Sequence, residues 1–251
     1  MGETMALERI STGIKGLDEL IEGGIPRNRT ILVAGATGSG KTIFSMQFLY
    51  NGALESNEPG VYVTLDERPD LIREDMENFG WDIKDLEEQR KLVIIDASIG
   101  RLGLPSNEEH AIVDTSFDYK KLMLETIKTC KAIGAKRLVI DSVATMGMYF
   151  KNQDDARLAI LEMMYMFSKI GVTTLMVSEI EQDTKKYSRF GVEEFVADGA
   201  FILKYLDTGV QGINRTFLVR KMRATNHSSN IHPLEITKKG IEITKIERYG
   251  I

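Results

Sequence analysis

The residues Gly35-Ala36-Thr37-Gly38-Ser39-Gly40-Lys41-Thr42 carry the spacing G-x-x-x-x-G-K-[ST], and each type in it suits a polyphosphate. The glycines let successive backbone N–H groups turn inward into a concave nest for phosphate oxygens. A helix opening near Lys41 adds the positive end of its dipole. Lys41 then reaches the β- and γ-phosphates, and the Thr42 hydroxyl holds a Mg²⁺ that bridges them. The pattern predicts a nucleoside triphosphate site. The alternative is a glycine-rich turn with an exposed lysine, which would need none of the flanking pattern. ATP against GTP stays open, because no stretch identifies a base pocket.

Hydrolysis needs a second metal-holding carboxylate and a group that orients water. Asp141 ends the apolar run Leu138-Val139-Ile140, from which it would face the loop and hold Mg²⁺ through its water shell; capping of the next element is the alternative. Asp66-Glu67 end a second strand, at the edge where open α/β sheets place their ligands. A carboxylate there accepts a hydrogen bond from the attacking water while the metal screens its charge. Otherwise the pair is two solvated loop acids. Ser178 and Glu179 end another strand on the same edge and are candidates for sensing the γ-phosphate.

These positions require a particular scaffold. Thr30-Ile31-Leu32-Val33-Ala34 leads into the loop, and Ile43 to Tyr50 has apolar residues at helical spacing. Gly60 to Leu65 reads as a strand, and Pro69 fits the first turn of a helix with Leu71, Ile72, Met76 and Phe79 on one side. Leu92 to Asp96 is a third strand; Ala97 to Phe117, with Gly100, Gly103 and Pro105, reads as a long surface loop. Asp118 caps a helix through Ile133 that Gly134 stops. The strand Arg137 to Ile140, a helix from about Asp154 to Ile170, and the strand Thr173 to Val177 follow. Hairpin strands then cover Ala200 to Tyr205, Thr216 to Met222, Leu234 to Thr237 and Ile241 to Lys245, the last two about the turn Lys239-Gly240. The alternation predicts an α/β fold, with a mostly parallel central sheet flanked by helices and β-hairpins at the C-terminal end.

A chain of 251 residues with no Pro/Gly/Ser-rich linker reads as one domain, 1–251, with 1–28 as an N-terminal extension or linker. Hydrophobic and charged fractions of 43% and 27% are those of a soluble protein, and no apolar run spans a bilayer. The N-terminus lacks the basic and apolar regions of a signal peptide, so a cytoplasmic location is expected. Net charge −5 disfavours a protein that coats nucleic acid, whose affinity comes from clustered Lys and Arg. Cys130 and the methionines Met163, Met164 and Met166 read as core residues.

Further segments carry a resemblance: Ile10-Ser11-Thr12-Gly13-Ile14-Lys15-Gly16-Leu17-Asp18, Gly23-Gly24-Ile25-Pro26, Gly60 to Glu67, Val139 to Val143, and Arg189 to Asp198. With the phosphate loop, and in this order from about Leu7 to the C-terminus, they resemble the KaiC branch of the RecA-like phosphate-loop ATPases. The resemblance implies a single such domain that hydrolyses ATP with Mg²⁺ at sites shared between subunits of a ring, a hexamer in the family.

Carried over by position, it makes Lys41 and Thr42 the phosphate and metal residues and Asp141 the second metal acid. The family's acidic pair is usually two glutamates with the first as catalytic base; here the first is Asp66, one methylene shorter, which implies either a slower enzyme or a shifted role for Glu67. Lys221-Met222-Arg223-Ala224-Thr225-Asn226-His227 matches the family's basic motif, with Lys221 and Arg223 reaching a neighbour's triphosphate and Thr225 and His227 nearby. The family's Ser-Thr phosphoacceptor pair is replaced by Glu194-Phe195, so a phosphorylation clock is not implied. Two other functions stay open. One is a recombinase-like protein binding single-stranded DNA through 143–155 and 179–196, where Lys185, Lys186, Tyr187 and Arg189 are diluted by acids. The other is a nucleotide-gated scaffold with little turnover.

Overall fold

The computed structural model describes residues 7–98, 106–112, 118–150, 152–180, 189, 191, 193–207 and 213–246. After β1 (Arg9–Ile10) and β2 (Ile25–Pro26), which pair antiparallel, β3 (Thr30–Gly35) runs into α1 (Lys41–Glu55). Then come β4 (Gly60–Thr64), α2 (Pro69–Glu77), α3 (Ile83–Glu88), β5 (Leu92–Asp96), α4 (Tyr119–Ile133) and β6 (Arg137–Asp141). A short α5 (Val143–Met146) precedes α6 (Gln153–Lys169), β7 (Thr173–Glu179) and α7 (Glu193–Val196). The chain finishes in β8 (Gly199–Asp207), β9 (Ile213–Met222), β10 (Ile231–Thr237) and β11 (Gly240–Ile243).

Nine strands form the main sheet in the order β11-β10-β9-β8-β3-β7-β6-β4-β5. From β8 to β5 every pairing is parallel; β8 to β11 form an antiparallel meander. This is the anticipated mostly parallel sheet with C-terminal hairpins. Side chains of β3 alternate between two apolar clusters, with Ile31 and Val33 packing beside α1, α2 and α3, and Leu32 and Ala34 beside α4 and α6. That period of two is what a strand buried on both faces requires. No described helix is long and apolar enough to cross a membrane.

Local signals account for most boundaries. The Asp118 carboxylate accepts the Lys120 N–H, and Gly134 ends α4 at φ +66°. Asn152 caps α6 by accepting the Asp155 N–H, and Met163, Met164 and Cys130 are buried. Several expectations need correction. Leu71 is exposed, because the buried stripe of α2 runs through Pro69, Ile72 and Met76, three and four residues apart; Phe79 lies beyond the helix end. Helix α3 was not anticipated: six residues are too few to show a period, although Asp82 caps it. The last turn falls at 238–239, with Gly240 already paired to Thr237.

Of the expected 97–117 loop, Asp96 N–H donates to the His110 carbonyl and Ile112 N–H to the Asp96 carbonyl, so 110–112 run along β5; 99–105 and 113–117 lie outside the described residues. Of the segment read as an extension, Ile10, Ile14, Leu17, Leu20, Ile21 and Ile25 are buried in the same cluster as α1.

One ion pair ties the front of the sheet together. Arg137 is fully buried, donating to Glu58 from Nη2 at 2.6 Å and Nε at 2.9 Å and to the Phe48 carbonyl at 2.8 Å, with its guanidinium 4.6 Å from the Phe48 ring centroid. Glu58 takes a further bond from Arg27 at 2.7 Å. Helix α1 passes over the pair at Gly52, where a Cβ would stand 2.2 Å from Arg137 Nε.

Removing one partner of a buried pair costs about 3–5 kcal/mol. Arg137→Ala is therefore expected to lower unfolding stability by about that amount. Gly52→Ala is expected to lower it by about 1–3 kcal/mol, although alanine is the better helix former by about 1 kcal/mol. Urea unfolding midpoints check both; a more stable Gly52→Ala protein would mean that helix propensity outweighs the contact.

Candidate phosphate-binding site

Strand β3 ends where its neighbours press closest. A Cβ at Gly35 would lie 2.5 Å from Ser39 Oγ and 2.7 Å from the Leu203 carbonyl oxygen, so only glycine fits between the loop and β8. Gly38 and Gly40 adopt φ +75° and +102°, the left-handed region that lets the chain turn back into α1. Ser39 N–H closes the loop onto the Ala36 carbonyl at 3.1 Å, and Lys41 Nζ donates to the same carbonyl at 3.0 Å. Burial pulls the Lys41 ammonium below its usual pKa, against the opposing charges of Glu179 and Asp141. Ala36 and Ser39 are buried, while Thr37 and Gly38 face outward. Thr37 Oγ1 donates to Glu179 at the end of β7.

The metal candidates meet directly. Thr42 Oγ1 donates to Asp141 Oδ2 at 3.1 Å, and the Tyr62 hydroxyl donates to the same oxygen at 2.6 Å. Burial raises the Asp141 pKa, while Tyr62, Thr42 and Lys41 act to lower it. Burial and then Asp141 push the Tyr62 hydroxyl well above its usual value, which keeps it a donor. An oxygen from a hydroxyl and one from a carboxylate suit Mg²⁺, which takes one or two carboxylates plus substrate phosphates rather than an all-protein cage. Consistently, the described residues contain no cluster of three or more acidic, His or Cys ligands.

Asp66 and Glu67 part company. Both Asp66 carboxylate oxygens accept hydroxyls from the segment after β6, Ser142 Oγ at 2.9 Å and Thr145 Oγ1. Glu67 is half-buried, its backbone pinned through Thr64 Oγ1, and burial, then Asp75, Asp141 and Asp66, raise its carboxyl pKa. Glu67 lines two adjoining cavities beside the loop. One, of about 260 Å³, also holds Thr37, Lys41, Asp66, Asp141 and Glu179. The other, of about 460 Å³, holds Gly40, Thr42, Phe79, Arg215 and Ile236.

The remaining predicted residues stand elsewhere. Gly35 pairs with Leu203, but Lys221 pairs with Ala200, itself level with Leu32, so the basic segment lies at the opposite edge of the sheet from the loop. Lys221 Nζ caps the end of α7, donating to the carbonyls of Ala197 at 2.6 Å, Glu194 at 3.2 Å and Phe195 at 3.3 Å. Arg223 is exposed, 3.7 Å from Asp198. Thr225 accepts from Arg9 at 3.0 Å, and His227 Nδ1 lies 2.9 Å from the Ser228 carbonyl. None of these four lines either loop cavity. Ser178 is buried against Glu193 rather than facing the loop; Glu179 does line the smaller cavity. Lys185, Lys186 and Tyr187 lie outside the described residues.

Sequence reasoning missed Tyr62, Tyr205 and Arg215. Tyr62 was visible only as a strand residue, although the parallel register that sets Thr64 level with Asp141 brings it to that acid. Tyr205 and Arg215 are cross-strand partners on β8 and β9, and no local motif ties them to Gly38.

Known proteins share this architecture over nearly the whole chain. The sequence model of the family described as "ATPase: KaiC" matches residues 10–248. A UPF0273 protein of Thermotoga maritima is 40% identical over 94% of this chain and 96% of its own. The circadian clock oscillator protein KaiC of Synechococcus elongatus is 36% identical over 96% of this chain and 45% of that protein. The crystal structure of a KaiC-like protein from Pyrococcus horikoshii OT3 superposes with a TM-score of 0.82 at 37% identity, covering 96% of this chain and all of that one. With the loop, the opposed carboxylate and the parallel sheet, these matches establish that the chain belongs to the KaiC family of RecA-like phosphate-loop ATPases.

Proposed function

We propose that the protein binds ATP with Mg²⁺ and hydrolyses it to ADP and phosphate at sites completed by a neighbouring copy in a hexameric ring. The observation that carries this reading is the contact of Thr42 with Asp141 beside a cavity that also holds Lys41 and Glu67. The ring rests on family membership and on the sheet: Arg223 stands exposed at the end of the strands away from the loop of its own chain, so it serves a triphosphate only on another copy, while Lys221, expected beside it as a second finger, is engaged by the carbonyls of α7. Head-to-tail contacts of that kind close into rings when the rotation per subunit allows.

On this reading the loop amides and Lys41 bind the phosphates, Lys41 exchanging the Ala36 carbonyl for phosphate oxygens. Thr42 and Asp141 would hold Mg²⁺, which when bound would supply positive charge to offset that of the phosphates. Glu67 accepts a hydrogen bond from the attacking water, its basicity raised by burial and by acidic neighbours. Asp66, occupied by Ser142 and Thr145, braces the segment after β6 against the end of β4. The shorter side chain at 66 thus leaves the base role to Glu67. Arg223 of the next copy stabilises transition-state charge, with Lys221 holding α7 and its own strand in place.

Three outcomes are expected. Lys41→Ala folds normally but loses ATP affinity by tenfold or more, since a charge-assisted bond contributes about 1.5–3 kcal/mol; unchanged calorimetric affinity would remove the site. Glu67→Gln cuts turnover by about 10²-fold or more with binding retained, whereas Asp66→Asn has a smaller effect on rate; phosphate-release assays that find the reverse order return the base role to Asp66. Arg223→Ala and Lys41→Ala proteins are each nearly inactive alone, yet regain activity when mixed under conditions of subunit exchange. If mass-verified mixed assemblies stay inactive, the contribution across the interface is wrong.

A further inference from the structure

The carbonyl of Gly38 is held from outside the loop. The Tyr205 hydroxyl donates to it, and Arg215 Nε and Nη2 each approach it at 3.4 Å, while the Arg215 guanidinium lies 5.5 Å from the Tyr205 ring centroid. Tyr205 and Arg215 face each other across β8 and β9, so the pair is set by sheet register rather than by loop conformation. The fit is close: a Cβ on Gly38 would stand 3.0 Å from the Tyr205 hydroxyl.

The chemistry of a phosphate nest gives this contact a purpose. Binding there depends on N–H groups pointing inward, and a carbonyl turned the same way would set a negative dipole end against the phosphate. Gly38, at φ +75° and exposed, has no side chain to restrict rotation of the peptide that follows it. A donor fixed on the hairpin strands selects the carbonyl orientation that faces it.

We propose that Tyr205 is a positioning residue: with Arg215 stacked beside it, its hydroxyl locks the Gly38 carbonyl out of the nest and so presets the loop for a polyphosphate. Tyr205 touches no substrate in this role and acts through the 38–39 peptide. The proposal rests on the phosphate-site reading above and adds that the C-terminal hairpin, rather than the loop alone, sets phosphate affinity.

The test is Tyr205→Phe, which keeps the ring and its stacking on Arg215 while removing one hydroxyl. Calorimetry is run with ATP and separately with inorganic tripolyphosphate, which has no base or ribose, with Lys41→Ala as the comparison. Tyr205→Phe is expected to weaken both probes by the same factor, about tenfold, as the loss of one hydrogen bond predicts. Its unfolding midpoint without nucleotide should fall by no more than the loss of one hydrogen bond explains, with the native fold retained. Unchanged affinity in Tyr205→Phe alongside lost affinity in Lys41→Ala overturns the lock and leaves the site standing. A loss confined to ATP overturns it as well, by assigning the hydroxyl to the nucleoside end. Retained affinity in Lys41→Ala overturns the site reading and the lock with it.

Discussion

Strand β3 is hydrogen-bonded on both sides, to β7 and to β8, through its full length from the residues near Thr30 to Gly35. A central strand so enclosed has no freedom to shift, and the chain must leave the sheet at a fixed point and turn into α1 within the five residues before Lys41. Glycine at 35 is the condition for that turn, because Ser39 and the Leu203 carbonyl already occupy the space a side chain would need. The same register sets Gly35 level with Glu179 and, two strands on, Thr64 level with Asp141. Loop, acids and cavities are therefore gathered by strand pairing, and the loop sequence alone would not assemble them.

Around that frame the charges are arranged in opposition. Asp141 sits in surroundings that disfavour its ionised form, yet two hydroxyl donors and the Lys41 ammonium favour it. Lys41 experiences the mirror image, with burial lowering its pKa and two carboxylates raising it. Each group thus favours the charged form of the other against the effect of burial. Arg137 and Glu58 pair opposite charges at the other end of the strands, where the pair is buried and serves the fold.

The elements of this fold were legible where local chemistry decides them: the cap at Asp118, the stop at Gly134, the apolar runs of β3 to β7 and the meander after Gly199 all follow from near-neighbour patterns. Within 1–28, read as an extension or linker, Gly13, Gly16, Gly23 and Gly24 interrupt the apolar pattern, yet Ile10, Leu17 and Ile21 are buried beside α1. The loop and Asp141 could be read as site candidates from spacing. The division of labour between Asp66 and Glu67 could not, since it depends on Ser142 and Thr145, brought to Asp66 by a strand 76 residues away in sequence. Tyr205 and Arg215 were hidden for the same reason: their meaning lies in a cross-strand pairing that no short window contains.

Strand β9 links two distant parts of the molecule. It begins near Arg215, against the protein's own loop, and ends at Lys221 and Met222, beside Arg223. At about 3.4 Å per residue the stretch from Arg215 to Lys221 spans about 20 Å. It pairs with β8 on both sides of a register irregularity at Arg220 and is anchored at its far end by the carbonyls of α7. One strand thus joins the protein's own loop, at Arg215, to the segment that carries Arg223, so in the proposed ring the two ends of β9 would stand beside two different nucleotide sites.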